Sequence, residues 1–324
     1  MEQFVYLLLG ALAFEAAVGY PQAIYQRAGH PVTWIGALIA VLEELGNRKG
    51  LSPWQLRLRG IATLAAGLSI SCSAALLLQN AAQPLGSVGI VLLVIAGSSL
   101  LAQRSLYEHV GNVASALDEG GLAAARVAVA QIVGRDTQSL DEAGVARAAI
   151  ESLAENFADG VVAPALWLGV GGLPGGVAYK TINTADSMIG HKSERYRQFG
   201  WAAARLDDLV NLPASRLAVI WLAGAALLTS GADARGAIRA ALRDAPRHRS
   251  PNAGWPEAAM AGALQLKLAG PRIYDGKTVD DAFMGDGRAE VTSFDIRAAL
   301  RLYVRACLIQ FMAVAVLAIW LYAG

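Results

Sequence analysis

Charge is what this sequence has least of. Only 16% of its 324 residues are Asp, Glu, Lys or Arg, against about 25% in soluble domains, so a fully water-exposed surface is hard to build from it. The 27 Lys and Arg nearly cancel the 26 Asp and Glu, leaving a net charge of +1. That balance argues against nucleic acid as a partner, which phosphate chemistry would demand a basic excess to hold. The two cysteines, Cys72 and Cys307, lie inside apolar runs without CxxC or Cys/His spacing, so neither a disulfide framework nor a zinc site is indicated. Strand-like alternation of any length is missing, and so is an internal repeat. Met1-Glu2-Gln3 lacks the basic segment of a cleaved signal peptide; residues 3–18 read as a short first helix, either a marginal span or an interfacial one. No Ser-His-Asp set, HExxH, dinucleotide fingerprint or GxxxxGK[ST] loop is present.

Apolar length is what the sequence does have. Hydrophobic residues make up 55%, and mean hydropathy is +0.42. A bilayer core about 30 Å thick needs about 20 apolar residues per spanning helix. Gly60 to Gln103 holds no charge over 44 positions, with Asn80, Gln83, Pro84 and Gly86 punctuating the middle. This predicts a helical hairpin with arms near 61–79 and 85–102. Leu217–Ala232 and Ala306–Gly324 are further uncharged runs, the last carrying Trp320 and Tyr322 as interfacial anchors. Gly160–Tyr179 is also uncharged but contains Pro164, Pro174 and a glycine-rich stretch over 169–176. It predicts a broken or re-entrant element, which must be buried in protein or line a wet cavity. The expected fold is all-α: a polytopic integral membrane protein with about four to five transmembrane helices plus amphipathic and re-entrant helical segments, one domain over 1–324.

Polar strings flank these runs. Glu151, Glu155 and Asp159 are spaced four apart, so a helix would stack three carboxylates on one side, either as a solvated acidic face or around a divalent cation that relieves their repulsion; magnesium is the carboxylate-binding ion that serves phosphate chemistry. Lys180, Asn183, Thr184 and Ser187 follow i, i+3, i+4, i+7 and form a polar stripe, with Asp186 beside Asn183. A lysine at the mouth of a glycine-rich element can hold phosphate as a point charge; a lysine anchoring the membrane interface is the alternative. Asp207, Asp208 and Asn211 enter the Leu217 run between Arg205 and Arg216, which are also their natural ion-pair partners; polar groups so near a span are costly unless used or paired. His248, Ser250, Asn252 and Trp255 precede an Ala/Gly-lined helix opened by Pro256, against which something must pack closely. His30-Pro31 opens the first loop, where a structural role for the histidine is the simpler reading. Gly270-Pro271 with Tyr274 and Gly276 marks one compact turn, and Gly285-Asp286-Gly287 another.

Four of these strings, HPV (30–32), ESLAENFADGVVAP (151–164), GGLPGGVAYKTINTADSMIGHKSERYRQFGWAAARLDDLVNLPASRL (171–217) and SPNAGWPEAAMAGAL (250–264), resemble the cobinamide-phosphate synthase family, often called CobD/CbiB. They occur in the same order over nearly the whole chain. Two departures stand out: Glu15 where the family usually has an aspartate before its Gly-Pro step, and Ala185 where it commonly has leucine. The resemblance implies an ATP-dependent, amide-forming ligase. It would join a corrin carboxylate of adenosylcobyric acid to the amine of aminopropanol phosphate, in a prokaryotic inner membrane. The implied partners are the lipid bilayer, the two substrates and other corrinoid-pathway membrane enzymes; the implied cofactors are ATP and Mg2+. Side-chain chemistry then assigns Glu151, Glu155, Asp159, Asp207 and Asp208 to metal, and Lys180, Arg195 and Arg205 to phosphates. Asn156, Asn183, Thr184, Ser187, Asn211, Ser250 and Asn252 would orient substrate or nucleotide, and Asp186 or His248 would take the amine's proton. A non-catalytic membrane scaffold for corrinoid enzymes is the alternative, and a transporter a weaker one because no paired half-repeat is seen.

Overall fold

The computed structural model describes residues 2–21, 25–27, 29–134, 136–270, 272–274, 277–279 and 281–323, with backbone alone at 272–274 and 277–279. The chain is all-α apart from a few very short strands. Among the described residues, five helical stretches are long and apolar enough to cross a membrane: Pro53–Leu85, Ser87–Ala130, Glu142–Ile189, Trp201–Leu227 and Ser293–Ala323. Where the sequence reads as one domain, contacts group the chain into two compact units. The first comprises Met1–Ala102, Ala163–Asn211 and Val314–Gly324, the second Gln103–Val162 and Leu212–Ala313.

In the first unit, α1 (Glu2–Val18) buries Val5, Leu8, Ala11 and Leu12 against helices of its own unit. At 17 residues it is shorter than the five long apolar stretches, and one side of it is packed. Helix α2 (Pro31–Gly46) starts at Pro31, whose missing N–H costs nothing at a first turn. His30 caps it, Nδ1 accepting the Val32 N–H at 3.2 Å. Ser52 and Gln55 cap α3 (Pro53–Ala82) reciprocally, with the Ser52 N–H donating to Gln55 Oε1 at 2.9 Å. The expected hairpin is present: Gln83–Leu85 tightens to a 3-10 turn, Gly86 takes φ 55° and ψ −127°, and α4 (Ser87–Ser98) returns. That backbone conformation is open to glycine and strained for other residues.

The Gly/Pro element is broken as expected. Helix α5 (Ala163–Ile189) is interrupted at Gly172, with φ 61° and ψ −156°, just before Pro174. A Cβ on Gly176 would lie 3.4 Å from the Leu168 Cβ. Residues eight apart in a continuous helix are separated by about 12 Å, so the two arms fold back on each other. The Leu173 N–H freed at the break is captured by Gln79 Oε1 of α3 at 3.0 Å. The glycine run thus serves close packing, since its turn amide is already engaged.

The second unit opens with α6 (Gln103–Ser115), a π turn over Ala116–Gly120 and α7 (Gly121–Ala130). Helix α8 (Glu142–Asn156) follows and runs into a second π turn, Phe157–Val162. Val110, Val113, Val129, Ile150, Leu153, Phe157 and Tyr303 form its core. The Ala/Gly helix α10 (Gly254–Leu264) packs closely, as anticipated, against α9 (Ala234–Asp244): a Cβ on Gly236 would stand 2.7 Å from the Gly262 carbonyl. Two antiparallel pairs follow, Leu268–Ala269 with Phe283–Met284 and Arg272–Tyr274 with Lys277–Val279. Strands of two or three residues are too short to leave an alternation in the sequence. Pro271 and Gly276 of the expected turn lie outside the described residues, whereas Gly285 turns at φ 78°.

That turn is tied to buried Asp244, which accepts the Gly285 N–H at 2.9 Å and Arg243 Nε and Nη2 at 2.8 and 2.7 Å. Burial alone would raise the Asp244 carboxyl. The hydrogen bonds from Arg243 and Gly285 and the charges of Arg243 and Arg247 outweigh it, and hold the group below the usual carboxylate range. A depressed folded-state pKa stabilises fully above the unfolded value of about 3.9, and the contribution disappears as pH falls through the folded value. Arg243 is partly exposed and can rehydrate, so Asp244→Asn is expected to cost about 1–3 kcal/mol at pH 7. Thermal unfolding in detergent checks this: the gap between wild type and variant shrinks below about pH 4. A gap independent of pH would contradict the assignment.

Candidate active site

The first unit brings the second half of α5 against the start of α11 (Trp201–Leu227). Tyr179, buried, donates its hydroxyl to Asn211 Oδ1 at 2.9 Å. Asn211, 1% exposed, donates Nδ2 to Asp207 Oδ2 at 3.0 Å, and Asn183 Nδ2 donates to Asp207 Oδ1 at 3.3 Å. Asp207 is thereby aimed by two amides, one from each helix. The Lys180 charge acts on Asp207, and the charges of Asp207 and Asp208 act on Asp186. The Asp186 carboxylate accepts no hydrogen bond among the described residues, while its main-chain carbonyl takes the Gly190 N–H at 2.7 Å. Arg205 Nη1 lies 3.7 Å from Asp208 Oδ2, and the Lys192 charge also bears on Asp208. Six groups singled out in the sequence (Lys180, Asn183, Asp186, Asp207, Asp208 and Asn211) therefore meet in one place.

His30 joins them. Burial first, and then the nearby Lys180 charge, push its imidazole below the ordinary range. Its Nδ1 is occupied as the cap of α2, and its ring is edge-on to Tyr20 at 4.4 Å. The cap role agrees with the structural reading, and the proximity to Lys180 adds to it. Tyr179 was missed by sequence reasoning, its only signal being its position next to Lys180 at the end of the apolar run.

The loop between the two helices is fixed by backbone contact. Gly200 has no room for a Cβ against the Ile189 carbonyl, nor Gly60 of α3 against the Phe199 carbonyl, nor Gly190 beside Asp186. Arg195 in this loop, expected at a phosphate, is bound to Glu43. Its Nη2 donates to both Glu43 oxygens, at 2.8 and 3.1 Å, and Nε adds a third bond. The nearly buried Glu43 explains this commitment, because an unpartnered carboxylate there would be costly. Glu43 also holds Asn47 at 2.8 Å. The Thr184 and Ser187 hydroxyls donate back to the Lys180 and Asn183 carbonyls at 2.7 and 2.9 Å, so toward a ligand they can only accept.

The second unit holds the remaining candidates. The expected stack of three carboxylates does not form: Glu151, 5% exposed, accepts the Ala269 N–H at 2.8 Å, supporting a residue at φ 56°. Glu155 is exposed one turn on, and Asp159 falls in the π turn, where four-residue spacing no longer keeps side chains in line. Asn156 donates to Ser152 O and Oγ, at 2.9 and 3.2 Å. Asn252, 5% exposed, accepts from Ser215 Oγ at 3.1 Å and Arg216 Nη1 at 3.0 Å, while Arg216 lies over the Trp255 ring at 4.5 Å. Ser250 Oγ accepts the Asn252 and Ala253 N–H groups, both at 3.2 Å. His248 Nδ1 accepts the Ser250 N–H at 3.0 Å, leaving Nε2 3.9 Å from Glu257 Oε1. These groups build the turn into α10.

Among the described residues no three His, Cys, Asp or Glu side chains gather as metal ligands. The donor set of the first unit fits a magnesium ion that takes one or two carboxylates and completes its shell with substrate phosphates, not an all-protein cage.

Comparison with known proteins agrees with the strings. A family model described as CobD/Cbib protein matches residues 8–303. The chain is similar to three proteins each named Cobalamin biosynthesis protein CobD. Identity is 52% over 313 residues to that of Sinorhizobium fredii, covering 96% of each chain. It is 48% over 319 residues to that of Rhizobium meliloti, covering 98% of each. To that of Rhodobacter capsulatus it is 46% over 303 residues, covering 94% of each. No solved structure matches. With a family match over residues 8–303 and 52% identity to a CobD protein across 96% of both chains, the chain belongs to the CobD/CbiB family.

Proposed function

We propose that the chain is a multi-pass inner-membrane ligase that joins adenosylcobyric acid to (R)-1-aminopropan-2-ol phosphate, with ATP, to give adenosylcobinamide phosphate. Its place in cobalamin biosynthesis follows from the family; the reaction is our reading. The observation that carries it is the gathering of one lysine, three aspartates and two amides on facing helices of the first unit. A non-catalytic scaffold has no need to hold such mutually repelling carboxylates beside a lysine.

Carboxylate and amine do not condense in water without activation. In the proposed sequence a corrin carboxylate oxygen attacks the γ-phosphorus of ATP, the bond to the β-phosphate oxygen breaks, and ADP leaves with an acyl phosphate formed. The amine nitrogen then attacks the acyl carbon, the carbon–oxygen bond breaks, inorganic phosphate leaves, and the amine's surplus proton passes to a base. Lys180 supplies a positive point charge to the transferring phosphoryl group, and Arg205 a second one at the edge. Asp186, with unoccupied acceptor capacity, is the proton acceptor. Asn183 and Asn211 fix Asp207, which with Asp208 would hold magnesium, whose contribution when bound is neutralisation of phosphate charge.

ADP release tests the reading. It should require both adenosylcobyric acid and the amine for steady turnover, with one ADP per amide. ATP hydrolysis indifferent to the corrinoid would defeat it. Because Arg195 is committed to Glu43, Arg195→Gln should leave the KM for aminopropanol phosphate within about threefold of wild type while lowering thermal stability. A selective rise in that KM would restore Arg195 to the phosphate site.

A further inference from the structure

In the second unit a groove of about 760 Å³ runs between α6 and the first half of α12 (Ser293–Ala323). Arg297, Arg301 and Arg305 enter it from one face of α12 at four-residue intervals, opposite Asn112 and Ser115 of the same unit. Arg297 is paired with Asp118. Glu108, also in the wall, is held by Arg104 at 2.7 Å. Arg301 rests over the Phe294 ring at 5.6 Å, and neither it nor Arg305 has an acidic partner among the described residues. Two positive charges thus remain in excess.

Their position along α12 is informative. From Ala306 onward the helix carries no charge to its end, a length of about 27 Å that matches a hydrocarbon core of about 30 Å. Arg305 therefore sits at the hydrocarbon edge, and Arg301 about 6 Å outside it, at headgroup depth. Val304 and Leu308, both exposed, carry the groove toward the apolar side. A phosphate-sized anion would be met by the two guanidiniums, and a chain attached to it by the two aliphatic side chains.

We propose that this groove binds an anionic phospholipid, its headgroup phosphate between Arg301 and Arg305 and its acyl chain along Val304 and Leu308. Free phosphate shares the charge but leaves the aliphatic rim without an occupant. The test is native mass spectrometry of the full chain in detergent with phosphatidylglycerol or phosphatidylcholine added. Each arginine should contribute about fivefold, so phosphatidylglycerol adducts should exceed phosphatidylcholine adducts by about tenfold or more. The Arg301→Gln, Arg305→Gln double variant should lose the preference, and the paired lysine replacements should retain most of it. Equal retention of the two lipids by wild type, or a preference surviving in the double glutamine variant, would overturn the proposal. So would displacement of the lipid by millimolar inorganic phosphate, which would mark a free-phosphate site. If the glutamine variant does not fold, the lysine pair and the phosphate competition on wild type still decide.

Discussion

Lys180→Met is expected to lower amide formation by about 10²- to 10³-fold, with the helices intact. Methionine keeps the length of the stem and removes only the charge. That charge offsets Asp186, Asp207 and Asp208 from within the site, with Arg205 only at its edge, and its field reaches both Asp207 and His30. It lies 5.8 Å from the Tyr179 ring, and that ring is anchored through its hydroxyl to Asn211, so the lysine stem leaves a fixed platform. In a water-poor site a fixed charge acts on developing phosphate charge without reorganising first. Product yield by mass spectrometry and thermal unfolding, measured together, check the claim. A variant with wild-type turnover would remove Lys180 from the chemistry; one that fails to fold would assign it a structural role instead.

Gly200→Ala should cost about 10²-fold in activity although Gly200 bears no functional group. An added methyl has nowhere to go but into the Ile189 carbonyl. Either the end of α5 or the start of α11 must shift, at about 1–3 kcal/mol for the overpacking. The Asn183–Asp207 bond, at 3.3 Å, is already long and would be the first to break. Gly134→Ala is the control, since nothing lies within 4 Å of its Cβ position; it should retain activity. Wild-type turnover in Gly200→Ala would show that the pairing of these two helices does not set the geometry of the reaction.

Local physics made much of the fold readable in advance. The uncharged 44 positions with Pro84 and Gly86 between them can only be two helices and a turn, and so they are. Gly172 and Pro174 break α5 because proline removes a donor and glycine permits φ 61°. The Ala/Gly composition of α10 announced a close neighbour, found in α9. The stripe from Lys180 to Ser187 and the pair Asp207–Asn211 were legible because helix period alone aligns them.

What sequence reading missed depends on partners distant in the chain. Glu43 and Arg195 are separated by 152 positions, and Glu151 meets Ala269 across 118. No local pattern announces either pair, so Arg195 read as a phosphate ligand and Glu151 as a metal ligand. The π turn at Phe157–Val162 also escaped it, because the four-residue stacking of Glu151, Glu155 and Asp159 assumed a uniform α period. Asn252 looked available and is instead buried under Ser215 and Arg216.

The most direct measurement is a reconstitution of the purified, folded protein with adenosylcobyric acid, aminopropanol phosphate, ATP and magnesium, followed by mass spectrometry of the corrinoid. The account predicts adenosylcobinamide phosphate accumulating with ADP one for one, and none from the Lys180→Met protein above background. Unchanged adenosylcobyric acid after incubation with well-folded wild-type protein would contradict it.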